Sequence, residues 1–181
     1  MERTWFATWT TYGTWLPGDE RGFVGDVRDL DGTRQCHNVP GTPHSADHSP
    51  LRAYAASILK EPPIRLTVAQ AEAVATQLRE TARFRCWDLF AFAVMANHVH
   101  LVVASGEEVT SGKILGDFKA WGTRRLDKQC GKRLNGSWWT DGGSCRPVRG
   151  DEELARVIMY VRQQEYPLVV WIAGEENPAI R

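Results

Sequence analysis

The sequence is poor in cysteine, in long apolar runs and in net charge. Its 181 residues include four cysteines, at positions 36, 86, 130 and 145, and no two of them are spaced as Cys-x-x-Cys. Isolated cysteines of this kind are typical of reduced thiols and argue against a disulfide framework. No apolar run approaches the roughly 20 residues that a membrane-spanning helix needs. Because the first residues, MERTW, also lack the layout of a secretory signal, we expect a cytoplasmic protein without a membrane segment.

Net charge is absent because 22 basic residues balance 22 acidic ones. The distribution is uneven, however, since residues 110–149 hold nine basic side chains against three acidic ones. Residues 17–50 show the opposite bias, with six acidic residues and three arginines. A basic stretch within a neutral chain indicates a surface that binds phosphate groups, although a solvated helix face gives the same pattern.

The order of apolar and breaker-rich segments predicts an α+β fold in one domain spanning residues 1–181. Strands are predicted over residues 3–12, 86–95, 98–105 and, more briefly, 137–140. Helices are predicted over residues 51–60, 67–83 with Thr67 as N-cap, 111–129, and from Asp151 as cap to Pro167. Strand–helix–strand repeated twice is the pattern of a ferredoxin-like antiparallel sheet with helices packed mainly on one side.

Two segments fall outside this repeat. Residues 13–50, rich in Gly, Pro, Asp and His, are predicted to be a long insertion after the first strand. Cys36, His37, His44 and His48 within it suggest a zinc site, but their spacing matches no compact zinc template. Residues 168–181 form a C-terminal tail whose apolar beginning we expect to dock on the body or on a partner.

The most informative stretch is FAVMANHVHLVVA, residues 92–104, which is typical of two apolar strands joined by a tight turn. Side chains alternate along a strand, so His98 and His100 point the same way, roughly 7 Å apart. Val99, Leu101 and Val103 face the other way, into a core. Two neighbouring imidazoles favour a divalent-metal site, because each neutral ring offers one lone pair to an ion. Two half-exposed strand histidines without a function would give the same pattern.

A candidate nucleophile lies on the last predicted helix. Tyr160 falls about 110° from a core stripe centred near Leu154, and Gln164 lies one turn later on the same flank. A tyrosine at the rim of a helix is often a packing residue, and this alternative stays open. Tyr166 is a weaker candidate because it sits at the helix end, just before Pro167.

These two motifs resemble those of a known superfamily. The segment Asn97-His-Val-His-Leu-Val-Val103 resembles the His-hydrophobic-His motif of the HUH endonucleases. The segment Tyr160-Val-Arg-Gln-Gln164 resembles the single-tyrosine motif of the same proteins. Their order and spacing are similar to those of the Y1 transposases of the IS200/IS605 type, including the REP-associated tyrosine transposases.

The resemblance implies a transposase, that is, a metal-dependent single-stranded DNA endonuclease and strand transferase. It implies that Tyr160 is the nucleophile and forms a 5′-phosphotyrosine intermediate. His98, His100 and Gln164 would hold one divalent metal ion, Mg²⁺ or Mn²⁺. A homodimer that recognises a DNA hairpin is implied as well.

Five residues of the basic stretch are candidates for contacts with single-stranded DNA, through the backbone or by base stacking: Lys119, Arg124, Arg125, Trp138 and Trp139. The three cations would hold the phosphate backbone, and the two indole rings would stack on bases. Because tryptophans are more often core residues, a packing role for the two rings stays open.

Three other functions compete with the transposase. The first is a catalytically silent or host-adapted hairpin-DNA-binding protein, against which the presence of His98, His100 and Tyr160 argues. The second is a metal-binding or small-molecule enzyme on the same scaffold, since a fold does not fix a function. The third is a site-specific replication initiator, but the sequence shows no helicase domain and only one motif tyrosine.

Overall fold

The computed structural model describes residues 2–19, 26–28, 34–36, 49–133 and 136–175. In chain order the elements are β1 (Glu2–Thr10), β2 (Asp26–Arg28), β3 (Arg34–Cys36), α1 (Ser49–Ser57), α2 (Val68–Arg85), β4 (Asp88–Val94), β5 (His98–Gly106), α3 (Ser111–Cys130), β6 (Ser144–Val148), α4 (Gly150–Arg162) and β7 (Val169–Ile172). They form two compact units, one of residues 13–63 and one of the remaining chain.

The larger unit is built on a five-stranded antiparallel sheet in the order β6-β1-β5-β4-β7. Its first four strands, together with α2 and α3, follow the β-α-β-β-α-β path of a ferredoxin-like fold. The predicted α+β fold class is therefore confirmed. The strand that carries the two histidines, β5, is the central strand and pairs with both β1 and β4.

One face of the sheet is covered by α2 and α3. Strict alternation in β1 buries Trp5, Ala7 and Trp9 on this face. Val99, Leu101 and Val103 of β5 lie on the same face. Both helices contribute to the same core, for example through Leu78 and Phe118. Burying a side chain of this size stabilises the fold by about 1.5–3 kcal/mol. The hydrophobic effect therefore fixes which face each histidine can occupy.

The sequence predicts the N-caps of α2 and α4, and the structure confirms only the first. Thr67 caps α2 as predicted, and its side chain and that of Gln70 form a reciprocal capping box. The predicted cap of α4 is wrong, because the N-cap is Arg149 and not Asp151. Glu153 instead reaches back and accepts a hydrogen bond from the Arg149 backbone N–H at 2.7 Å.

The helix α4 packs on the opposite face of the sheet. Val157 and Val161 of this helix are buried against Ala91, Ala93 and Val102. The small side chains on β4 let the helix approach the sheet closely. This arrangement brings the last helix onto the face to which His98 and His100 point.

The structure differs from the sequence-based expectation at residues 137–140 and at the end of α4. Residues 137–140 are not a strand: Trp139 forms only an isolated bridge with Thr11, and the edge strand beside β1 is β6. The helix α4 ends at Arg162 and not at Pro167, because the chain turns there to enter β7. The apolar tail thus docks on the body as an added edge strand, β7, paired with β4.

The smaller unit contains α1 and the two short strands β2 and β3, which pair antiparallel. The predicted helix over residues 51–60 corresponds to α1. Within the predicted zinc site, His37, His44 and His48 lie outside the described residues, as does the side chain of Cys36. No helix in the described part of the chain is long and apolar enough to cross a membrane.

Candidate active site

The two motif histidines lie side by side at the start of β5. Their ring centroids are 4.7 Å apart, with the ring planes at 80° to each other. His100 is buried, whereas His98, the first residue of β5, is half-buried. The prediction that both side chains share one face of the sheet is confirmed.

A hydrogen bond to Nδ1 orients each ring. His98 Nδ1 lies 2.7 Å from Asn97 Oδ1, and because an amide oxygen can only accept, the ring nitrogen donates. His100 Nδ1 lies 2.8 Å from the hydroxyl of Thr8, its cross-strand neighbour on β1. With the proton on Nδ1, the His98 ring carries its lone pair on Nε2, as a metal-binding histidine does. The Thr8 hydroxyl can donate to or accept from His100 Nδ1, and in either case it orients the ring.

The environment keeps His100 neutral. Burial lowers its pKa from 6.5 to about 4, and the neighbouring His98 acts in the same direction. A hydrogen bond with the side chain of Gln164 opposes this shift but does not cancel it. At neutral pH the ring is therefore uncharged and can act as a ligand.

Tyr160 projects from α4 over the same site. The centroid of its ring lies 5.3 Å from that of His100, at an interplanar angle of 75°. Phe6 of β1 contacts both rings, stacking on His100 at 5.6 Å and meeting Tyr160 edge-on at 5.8 Å. The tyrosine remains 51% exposed, so a ligand outside the protein can reach it.

Gln164 completes the cluster just after α4 ends. Its Nε2 donates to the backbone oxygen of Tyr160 at 2.9 Å, and its side chain also bonds His100. Among the described residues, no group of three or more His, Cys, Asp or Glu side chains could hold a metal ion. Two imidazoles and one amide nevertheless fit a divalent cation whose remaining ligands are water or a phosphate oxygen.

The three predicted backbone-binding cations lie elsewhere. All are on α3, which packs against the face of the sheet opposite to the histidines. Lys119 donates to the backbone oxygens of Thr140 and Gly142, each at 2.7 Å, and burial lowers its pKa. Arg124 lies over the ring of Trp121 at 4.5 Å, and Arg125 pairs with Glu80 at 3.5 Å.

The two tryptophans predicted to stack on bases are core residues. Trp138 and Trp139 are 5% and 2% exposed. Their indole N–H groups donate to Asp127 Oδ1 at 2.8 Å and to the Lys119 backbone oxygen at 3.1 Å. Because both rings are buried, neither has a free face on which a base could stack, and their positions do not support the predicted stacking role.

Four residues near the site were not predicted to take part in it: Thr8, Asn97, Phe6 and Arg146. Asn97 directly precedes the histidine motif, and its position in the turn is the signal that would have found it. Thr8 and Phe6 alternate with the buried aromatic residues of β1, so the sequence is enough to predict that they share a face. Their position beside His100 could not be predicted, because it depends on the register between β1 and β5.

More than half of the chain matches a known family. Residues 63–164, which include both motifs, match the family model described as IS200-like transposase. Since the match spans more than half of the 181 residues, the chain belongs to the IS200-like transposase family. No curated protein sequence matches it significantly.

Two solved structures are similar at a low level. A REP-associated tyrosine transposase bound to a REP hairpin is 12% identical, with a TM-score of 0.48 over 88% of this chain and 64% of that one. The chain thus spans less than two thirds of that protein. A candidate transposase from Deinococcus radiodurans R1 is 15% identical, with a TM-score of 0.46 over 92% of this chain and 93% of that one.

Proposed function

We propose that this transposase is a metal-dependent endonuclease and strand transferase for single-stranded DNA, with Tyr160 as its nucleophile. One observation carries the proposal: the rings of Tyr160, His100 and His98 are in contact, and Gln164 bonds both Tyr160 and His100. Nothing in core packing requires two polar rings, an amide and a half-exposed phenol to converge. Family membership supports the same conclusion.

The donor set supports a single divalent cation, Mg²⁺ or Mn²⁺, held by His98, His100 and Gln164. Such an ion, when bound, supplies Lewis-acid activation of the scissile phosphate and offsets the charge that develops on it. Asn97 and Thr8 hold the rings in orientation, and burial keeps the His100 ring neutral and able to ligate.

Tyr160 attacks the phosphorus through its phenol oxygen. The new bond joins that oxygen to the 5′-phosphate, the bond from phosphorus to the 3′-oxygen breaks, and the phenol proton passes through water to the 3′-oxygen. A phosphodiester replaces a phosphodiester, so a 3′-hydroxyl can later attack the phosphotyrosine and rejoin the strands without an external energy source.

A single strand, folded into a hairpin beside the cleaved phosphate, is the substrate that we propose. The Tyr160 side chain is 51% exposed at the edge of the contact between α4 and the sheet, where a flexible single strand can reach it more readily than a duplex. We further propose a homodimer. Each chain would carry its own set of site residues, because Tyr160 here lies beside the histidines of the same chain.

The test is covalent capture. The protein is incubated with Mn²⁺ or Mg²⁺ and an end-labelled single-stranded hairpin oligonucleotide from the DNA that flanks its gene, and is then run on a denaturing gel. We expect a labelled protein–DNA adduct that requires metal and disappears in Tyr160→Phe. Tyr166→Phe is the matched control, because Tyr166 is exposed and lies six residues further along the chain.

Each other outcome would indicate a different nucleophile or a different function. Loss of the adduct in Tyr166→Phe but not in Tyr160→Phe would identify Tyr166 as the nucleophile. Cleavage without an adduct would indicate a hydrolytic metal nuclease. Tight hairpin binding with neither product would favour the alternative, a catalytically silent or host-adapted hairpin-binding protein.

A further inference from the structure

A basic side chain lies beside the site but belongs to none of the motifs. Arg146 is on the edge strand β6, directly opposite Phe6 on β1. Its Cζ atom lies 5.3 Å from the centroid of the Phe6 ring, which itself contacts Tyr160 and His100. One aromatic ring therefore separates the guanidinium from the proposed nucleophile.

The guanidinium is paired with an acid of the chain itself. Arg146 Nη1 forms an ion pair with Glu153 Oε1, while Glu153 Oε2 accepts the Arg149 backbone N–H at 2.7 Å. A carboxylate is thus held between a guanidinium and the backbone N–H at the start of α4. These two groups are the ones that would also bind a phosphate.

We propose that Arg146 binds a backbone phosphate of the DNA strand next to the one that Tyr160 attacks, and that Glu153 holds this position until DNA displaces it. The inference rests on the proposed function, since it assigns part of the substrate contact to the same site. A phosphodiester and a carboxylate carry the same charge, so one can replace the other on the guanidinium.

The exchange is favourable because the existing pair is weak. The side chains of Arg146 and Glu153 are 46% and 25% exposed, and ion pairs near water contribute little to stability. An arginine suits this role because its planar fork can contact two phosphate oxygens at once. Stacking on Phe6 limits the orientations that the fork can adopt.

The proposal predicts opposite effects for the two partners. In Arg146→Ala, binding of the single-stranded hairpin oligonucleotide should weaken roughly tenfold, the loss expected for one charged hydrogen-bonded contact. The slope of log affinity against log salt should fall by about 0.7, the value for one phosphate on a single strand. In Glu153→Gln, which keeps an acceptor for the Arg149 N–H, binding should tighten by about two- to fivefold.

A double variant separates this role from a structural one. Once Arg146 is alanine, Glu153→Gln should improve binding less than it does in the wild type, because the Arg146 guanidinium is no longer there to be released and only the weaker effect of Arg156 on Glu153 remains. If the pair only stabilised the fold, both single variants would weaken binding, and that result would overturn the proposal. Equal binding by Arg146→Ala and wild type would also overturn it.

Arg85→Ala is the matched control. Arg85 pairs with Asp117 at 2.8 Å and lies over the ring of Phe84 at 5.6 Å, as Arg146 does with Glu153 and Phe6, but it is on α2, on the face of the sheet opposite to the histidines. It should bind the oligonucleotide as wild type does. Adduct formation is measured alongside: a wild type that binds but forms no adduct contradicts the proposed chemistry, while the binding series still decides the role of Arg146. A wild type that does not bind the oligonucleotide contradicts both.

Discussion

Thr8 and His100 lie 92 residues apart in the chain and are joined by a contact of 2.8 Å between the threonine hydroxyl and Nδ1 of the ring. The contact is possible because β1 and β5 pair in a register that places the two residues directly opposite each other. The first strand of the fold thus orients a side chain of the central strand.

Thr8→Val should weaken metal binding while leaving the fold intact. Valine has nearly the shape of threonine but cannot hydrogen-bond the ring, and loss of such an orienting partner typically costs 10- to 100-fold in metal affinity. Calorimetric titration with Mn²⁺ in the absence of DNA measures the effect. Thr8→Ser, which keeps the hydroxyl, should bind as wild type does; equal affinity in Thr8→Val would mean that the ring needs no orientation from β1.

Substitutions of Gln164 should change metal affinity in both directions. A glutamate has the same length and offers a charged oxygen, which hard divalent cations prefer, so Gln164→Glu should bind Mn²⁺ roughly tenfold more tightly. Gln164→Leu offers no donor atom and should bind it at least about tenfold more weakly. The same titration measures both variants, and unchanged affinity in the two would remove Gln164 from the metal site.

Trp139→Ala should act on stability. The ring is 2% exposed, packs edge-on against Trp9 at 6.1 Å, and leaves a large cavity when removed. The free energy of unfolding, measured with a chemical denaturant, should fall by about 3–5 kcal/mol. Unchanged stability together with weakened binding of single-stranded DNA would restore the base-stacking role predicted from the sequence.

Cys145 should resist alkylation. Burial raises the pKa of its thiol to about 12, and only the thiolate reacts, so at pH 8 about one side chain in ten thousand is reactive. Iodoacetamide labelling followed by peptide mapping should show Cys86 and Cys130, both exposed, reacting at least about a hundredfold faster. The difference should vanish in denaturant, and the rate at Cys145 should rise about tenfold per pH unit below the pKa. Rapid labelling of Cys145 at pH 8 in the native protein would show that it is accessible.

The site could be predicted in part because its main residues belong to local patterns. Alternation along a strand placed His98 and His100 on one face, and helical spacing placed Tyr160 and Gln164 on one flank. No local sequence pattern indicates that the histidine face of the strand and the Tyr160 flank of the helix meet. That expectation came from the resemblance to the HUH endonucleases, and the packing of α4 against β4 and β5 accounts for it physically.

What escaped prediction depends on long-range pairing. The strand β6 contains Pro147, which an edge strand tolerates but a central one does not, so its short pattern did not stand out. Trp138 and Trp139 lie between Gly136 and the pair Gly142-Gly143, outside any strong helix or strand pattern, so no local signal in the sequence predicts their burial. Their burial follows only from the way the chain folds back onto α3 and β1.

The helix α4 is fastened to the sheet at both ends. One residue separates it from β6, at one edge, and six residues separate it from β7, at the other edge. The pairing of β7 with four residues of β4 therefore limits how far α4 can carry Tyr160 from His100. In the mechanism that we propose, a DNA end attached to the phenol would stay near the place where it was cut, and the second strand would have to move to it.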